Sequence, residues 1–233
     1  MLGRKSARFS AILFILCANY IWAGDVASFA DLGFSDNGKI YMFGQYGVDE
    51  DTLKPWADLN IVNVPANEFV KGGRFSYKHN ERISVGQDGS GALLRLISKN
   101  ADFIQKNKAS FLQQGIPLFV SLLNGHKRDG DTIDFRDFEK ETRYNADLVT
   151  VFFGSGKNLQ SSFFIKLRRT DKSGAVKTWR VGSPDVKRSG VTSYTIKKVI
   201  VNPERTSMII VIEMTVLNGS GPDIRYMIEA LSF

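Results

Sequence analysis

Along most of this chain the apolar residues either alternate with polar ones or gather in short runs bounded by turn residues, the pattern of strands rather than helices. From Leu32 to Phe43 two apolar runs flank Asp36-Asn37-Gly38. Asn-Gly supplies the positive φ angles of a tight turn, so a hairpin is predicted across 31–48. Residues 57–64 carry Leu59, Ile61 and Val64 and close on Pro65-Ala66-Asn67, which predicts a third strand. Beyond Pro117 the pattern predicts further strands at 118–123, 132–138, 148–153, 162–169, 176–181, 194–201, 208–217 and 224–230. Asp129-Gly130, Gly154-Ser155-Gly156, Ser173-Gly174 and Asn218-Gly219 separate several of them. Such short connections favour antiparallel neighbours, because a parallel crossover needs about a dozen residues.

One segment has a different period. Leu93, Ile97, Ala101, Ile104 and then Phe111-Leu112 recur at helical spacing, with Lys99, Asn100, Gln105 and Lys106 on the other side. One amphipathic helix is predicted near 91–114, with Ser90 as its N-cap and Gly115-Ile116-Pro117 as its stop. No proline- or serine-rich linker interrupts the chain, so residues 24–233 are expected to form a single, mainly β, antiparallel domain: a sandwich, a barrel or a partial propeller-like sheet. The segments 32–43 and 199–210 share a layout of apolar run, polar turn and apolar run, as in the edge of a propeller blade. Residues 70–190 contain no matching repeat, so the echo supports a sheet more than a propeller.

The first 25 residues bear on location. Arg4, Lys5 and Arg8 precede an uncharged run of 16 residues, Phe9 to Gly24, which ends in the small pair Ala23-Gly24. That order is a secretory signal peptide, with cleavage expected after Ala23. The run falls short of the ~20 residues of a membrane span. An uncleaved anchor is the alternative, since Tyr20 and Trp22 suit a membrane interface. Cys17, the one cysteine, lies inside the apolar part of the signal, so the mature chain has no thiol for disulfides, zinc or nucleophilic catalysis. Lipidation at Cys17 is disfavoured by Leu16, where the processing site wants a small residue.

The full chain carries 31 basic and 24 acidic residues. Residues 1–23 hold three of the basic ones and none of the acidic ones, leaving 28 against 24, or +4. The signs are mixed, as at Lys140-Glu141 and Asp185-Lys187, which argues for a solvated surface and against a nucleic-acid binder.

Several motifs invite chemistry and stop short of it. Asp129 to Phe138 imitates half of an EF-hand loop, but Asp131 falls where the turn needs glycine and His126 where the first ligand belongs; a hairpin fits better. Gly154 to Lys157 resembles the end of a phosphate-binding loop, yet Val151 and Asn158 replace the required glycine and hydroxyl. His79 and His126 are far apart, and no metal site, cofactor or catalytic residue is expected. No Gly-x-Ser-x-Gly elbow is present. Asp134, Asp137 and Glu139 offer carboxylate pairs for glycoside hydrolysis, as any β-protein with this many acids does.

Phe29 to Val48, Trp56 to Gly73, Thr178 to Gly182, Tyr194 to Pro203 and Gly221 to Met227 resemble a bacterial family of predicted secreted proteins of unknown function. The opening hairpin is also similar to units of TolB-like propellers. The family resemblance implies an exported, periplasmic or secreted protein and carries no functional residue to transfer. The leading expectation is therefore a non-enzymatic binding module in the cell envelope, without a membrane span in its mature form. Its partner is an envelope protein, glycan or small ligand rather than nucleic acid. An envelope hydrolase acting on glycan through acids gathered by the fold is the alternative, and an uncleaved, membrane-tethered scaffold a third reading. Tyr46, Trp56, Arg225 and Tyr226, aromatic and arginine residues at turns or strand ends, are the candidate binding residues.

Overall fold

The computed structural model describes residues 24–84, 86–122, 132–218 and 221–233. The signal segment 1–23 with Cys17, His126, the Asp129-Gly130 turn and Gly219 lie outside them. Strands β1 (Ser28–Phe34), β2 (Ile40–Asp49), β3 (Lys54–Asn63) and β4 (Glu68–Lys78) form a first sheet in chain order. Helices α1 (Ser90–Lys99) and α2 (Ala101–Lys106) and strand β5 (Ile116–Val120) follow. The second sheet runs β6 (Thr132–Asp137), β7 (Thr142–Phe153), β8 (Gln160–Thr170), with β9 (Val176–Val181) and β10 (Arg188–Ser189) both on the far side of β8. The third consists of β13 (Gly221–Ser232), β12 (Ser207–Asn218), β11 (Val191–Val201) and β5, in that spatial order. Every strand pairing within these sheets is antiparallel, as the short connections require, and no sheet closes into a barrel.

The sheets stack, with the third in the middle. Alternation along β11 and β12 sends Val199, Val201, Met208, Ile210 and Ile212 into a core with Phe163, Ile165 and Leu167 of the second sheet. Ile200, Ile209 and Val211 point the other way and pack on Phe34, Tyr41, Phe43 and Val62 of the first sheet. A sheet covered on both faces needs apolar residues at successive positions, which explains the unbroken run Met208 to Ile212. The far face of the first sheet carries Met42, Leu59 and Ile61 against Leu93, Leu96 and Ile104 of the helices. Glycines set that approach: a Cβ on Gly44 would lie 2.6 Å from Leu93 Cδ1, and one on Gly89 2.2 Å from the Gly47 carbonyl oxygen.

The helical segment sits where its periodicity places it, but it is divided at Asn100 and ends at Lys106. The Asn100 side-chain amide donates to the Leu96 carbonyl at 2.7 Å, competing with the helical ladder. Phe111 and Leu112 fall in the following turn, and Leu112 is 91% exposed. Ser90 is the first helical residue rather than the cap, because Gly89 takes the position pressed against β2.

Strand β4 escapes the pattern because it is an edge with mostly exposed residues and a Gly72-Gly73 irregularity opposite Asn60 to Val62. The two echoing hairpins meet at their turns, where the Ser207 hydroxyl donates to the Gly38 carbonyl at 3.0 Å. Gly38 has φ +66°, and a Cβ there would lie 2.4 Å from Asn202 Nδ2, so turn geometry and contact both demand glycine. The sheets lie face to face and are not arranged as propeller blades.

Candidate functional site

Trp56 and Arg225 come together although 169 positions separate them. The Arg225 guanidinium stacks 4.5 Å above the Trp56 ring. Its Nη1 donates to the carbonyls of Asp25 (2.8 Å) and Ile224 (2.9 Å), and its Nη2 to Asp25 Oδ2 (2.9 Å) and Asp223 Oδ2 (3.0 Å). The cation is thus engaged in pinning residues 25–27 onto β13, beside the Ala27 N–H to Ile224 carbonyl bond of 3.1 Å. Burial raises the Asp25 carboxyl above its usual range, opposed chiefly by Arg225. The Trp56 indole N–H lies near enough to favour the Asp25 charge, yet Asp25 Oδ1 and Trp56 Nε1 close no well-formed hydrogen bond.

Tyr226 and Tyr46 stand apart from that pair. Tyr226 packs edge-on against Phe29 at 5.7 Å, between the first and third sheets, and its hydroxyl donates to Glu213 Oε2 at 2.8 Å. Burial and the Glu213 charge push that phenol well above its usual value. Tyr46 joins the core on the helix side of the first sheet. The four residues therefore do not form one surface.

The acids considered for hydrolysis divide as well. Asp137 and Glu139 line a cleft of about 590 Å³ bordered by Tyr144, Arg169, Asp171 and Arg205. Arg205 bridges the two acids, Nε to Asp137 Oδ2 at 2.5 Å and Nη2 to Glu139 Oε2 at 2.6 Å. Asp137 also accepts from the N–H groups of Glu139 and Lys140 at 3.0 and 3.1 Å, so it organises the β6–β7 turn. Asp134 points to the opposite face of β6 and accepts from Asn145 Nδ2 at 3.0 Å. His79 is bonded locally, its Nδ1 accepting from the Glu81 N–H at 3.0 Å. Gly154 to Asn158 form the turn between β7 and β8.

The outer face of the second sheet gathers a different set of side chains. Along β8, Phe163, Ile165 and Leu167 enter the core, which turns Phe164, Lys166 and Arg168 outward. Register then places Arg180 of β9 opposite Lys166, and Arg136 of β6 opposite Arg143 of β7. The Arg180 guanidinium lies 4.1 Å over the Phe164 ring, and Lys187 Nζ 4.4 Å over Phe153. Asn145, Asp147, Phe164, Lys166, Arg168 and Arg180 line an open basin of about 610 Å³.

None of the ion pairs among the described residues includes Arg136, Arg143, Lys166, Arg168 or Arg180. The acids of this face are engaged with neutral donors, Asp147 with the Thr132 hydroxyl at 3.0 Å and Asp134 with Asn145. Residues 132–189 contain 12 basic and 7 acidic residues, whereas the rest of 24–233 contains 16 and 17. The mixed signs of the whole chain hide this segregation; alternation from Phe163 to Arg168 is the signal that exposes it.

Among the described residues no group of three His, Cys, Asp or Glu side chains suits a metal ion, and no helix is long and apolar enough to cross a membrane. A family model described as "Predicted secreted protein (DUF2259)" matches residues 42–232. Comparison with curated proteins and with solved structures gave no match.

Proposed function

The chain belongs to this family of predicted secreted proteins, and from that premise we propose that it works in the bacterial cell envelope as a non-enzymatic binding module whose ligand surface is the outer face of the second sheet. The observation that carries the reading is the row of basic side chains on that face without acidic partners. Lys78, Lys197, Lys198, Arg205 and Arg225 are paired with acids, and cations such as Lys39, Lys71 and Lys106 are, among the described residues, unpaired too. What distinguishes this face is that several unpaired cations are gathered on one sheet surface by strand register. A cation left unpaired keeps its attraction for an outside anion, whereas one neutralised in the fold has little left to offer. The aromatic rings under Arg180 and Lys187 hold those charges in place and lower the ordering cost of binding.

Capture from crosslinked envelope fractions tests the reading, with the full chain purified after export as bait. Loss of a saturable ligand in a Lys166→Glu/Arg168→Glu/Arg180→Glu variant of unchanged unfolding midpoint supports it. Undiminished capture by that variant, with loss on Trp56→Ala instead, moves the surface to the Trp56–Arg225 stack and sinks this assignment.

A further inference from the structure

Resting on that reading, we propose that the outer face of the second sheet binds a linear acidic polysaccharide, whose successive carboxylate or phosphate groups meet Lys166, Arg168 and Arg180. Lys166 and Arg168 stand two residues apart on β8, and Arg180 faces Lys166 across the β8–β9 pairing. Strand geometry sets those steps at about 7 Å along β8 and about 5 Å across it, a ladder of charge suited to a repeating polymer. The basin is open, unlike the enclosed pocket that a single small anion needs for strong desolvated contacts. Arg136 and Arg143 extend the same face beyond the basin, so a chain longer than one sugar unit gains further contacts.

The aromatic residues narrow the choice of polymer. Phe164 lies under Arg180 at 4.1 Å, and Phe153 under Lys187 at 4.4 Å, so neither presents a bare ring face for stacking a nucleobase. Phe164 is half-buried, and although Phe138 just past β6 is 79% exposed beside Arg136, a single such ring is not the row of apolar anchors of a membrane-docking face. Hydroxyl-rich sugars carrying fixed negative charges match what remains: exposed donors, a polar floor from Asn145 and Thr178, and no deep apolar slot. The floor holds one carboxylate, Asp147, which faces Lys166 across the β7–β8 pairing and is outnumbered by Lys166, Arg168 and Arg180.

The test is native affinity electrophoresis of the full exported chain in gels containing polygalacturonate, dextran sulfate or neutral dextran, at about 0.05 and 0.2 M salt, across which the Debye length shortens appreciably. Retardation by both acidic polymers, none by dextran and less at the higher salt are expected. The Lys166→Glu/Arg168→Glu/Arg180→Glu variant loses affinity about tenfold or more, the scale of several lost charge contacts. A Lys39→Glu/Lys71→Glu/Lys106→Glu variant, with the same change in net charge at exposed sites elsewhere, keeps it. Should the first variant fail to fold, the three glutamine replacements take its place.

No retardation by either acidic polymer overturns the proposal, as does an equal loss in both variants, which reduces the effect to net charge. Tighter binding to phosphatidylglycerol vesicles or duplex DNA through the same three residues overturns it in favour of a lipid or nucleic-acid face. If envelope capture depends on these residues while acidic polymers do not bind, the binding module stands and the polysaccharide falls. If capture does not depend on them, the underlying reading falls first.

Discussion

Replacing Arg205 tests how the cleft end of the molecule is held together. Its guanidinium joins Asp137 Oδ2 at 2.5 Å, and the Asp137 side chain is only 3% exposed. Removing the cation leaves that carboxylate buried with two backbone N–H partners and no countercharge, and breaking such a pair costs about 3–5 kcal/mol. The second partner, Glu139, is 73% exposed and adds little. Arg205 also holds φ +55°, a left-handed conformation that costs a non-glycine residue about 1–2 kcal/mol. Arg205→Ala keeps that strain and loses the pair, so a loss of about 3 kcal/mol or more is expected. Arg205→Gly loses the pair and relieves the strain, and is expected to be about 1 kcal/mol more stable than the alanine variant. Adding Asp137→Asn to Arg205→Gly removes the stranded charge and recovers part of the remainder. Equilibrium urea unfolding measures all three, with unchanged slopes confirming that midpoints report stability. An alanine variant within about 0.5 kcal/mol of the parent, the range of ordinary surface substitutions, refutes the reasoning.

Burial raises the Glu229 carboxyl above its ordinary 4.5, against opposing contributions from Asn67 and Arg188. The folded state then holds a proton more tightly than the unfolded one, so this group's contribution falls as pH rises from about 4.5 through the raised value. Glu229→Gln, whose amide carbonyl still accepts from Asn67, is expected to flatten that slope and raise the thermal midpoint at neutral pH; an unchanged slope across pH 4.5–8 argues against it. Gly89→Ala drives a Cβ into the Gly47 carbonyl and is expected to cost about 1–3 kcal/mol, the usual range for overpacking. Gly91→Ala, inside the helix that Gly89 caps and with nothing near its Cβ, should instead stabilise by about 0.5–1 kcal/mol. Equal urea midpoints for these two variants contradict the close approach of α1 to β2.

Much of the strand order is legible because turn chemistry marks the strand ends. Asn37-Gly38 and Ser173-Gly174 both fall at hairpin turns, and the apolar run at 208–217 forms β12. The stacking order is harder to read. The run Met208 to Ile212 signals burial, but whether it is covered on one face or two depends on sheets assembled from residues 28–78 and 132–189. The candidate site is legible strand by strand and not as a face. Phe164, Lys166 and Arg168 declare themselves by alternation, while their alignment with Arg180 follows from pairing register. Arg225 and Trp56 are individually conspicuous, yet the acids that engage Arg225, Asp25 and Asp223, are marked by no motif in the sequence.

The middle position of the third sheet gives the chain a timetable. A polypeptide is delivered N-terminus first, and the first two sheets are complete in sequence before residues 191–232, which supply β11, β12 and β13, have emerged. Until then the apolar sides of Phe34, Tyr41 and Phe43 on one sheet, and of Phe163, Ile165 and Leu167 on the other, lack the layer that separates them in the finished fold. The stack cannot close before then, although the first sheet and the helices, contiguous in sequence and with a core of their own, can form earlier. For a secreted chain that delay is useful, since a thread crosses a membrane more readily than a finished sandwich. The same timetable makes the last forty or so residues disproportionately valuable: a chain broken off before Val191 loses a modest share of its length and the layer on which both of its large sheets close.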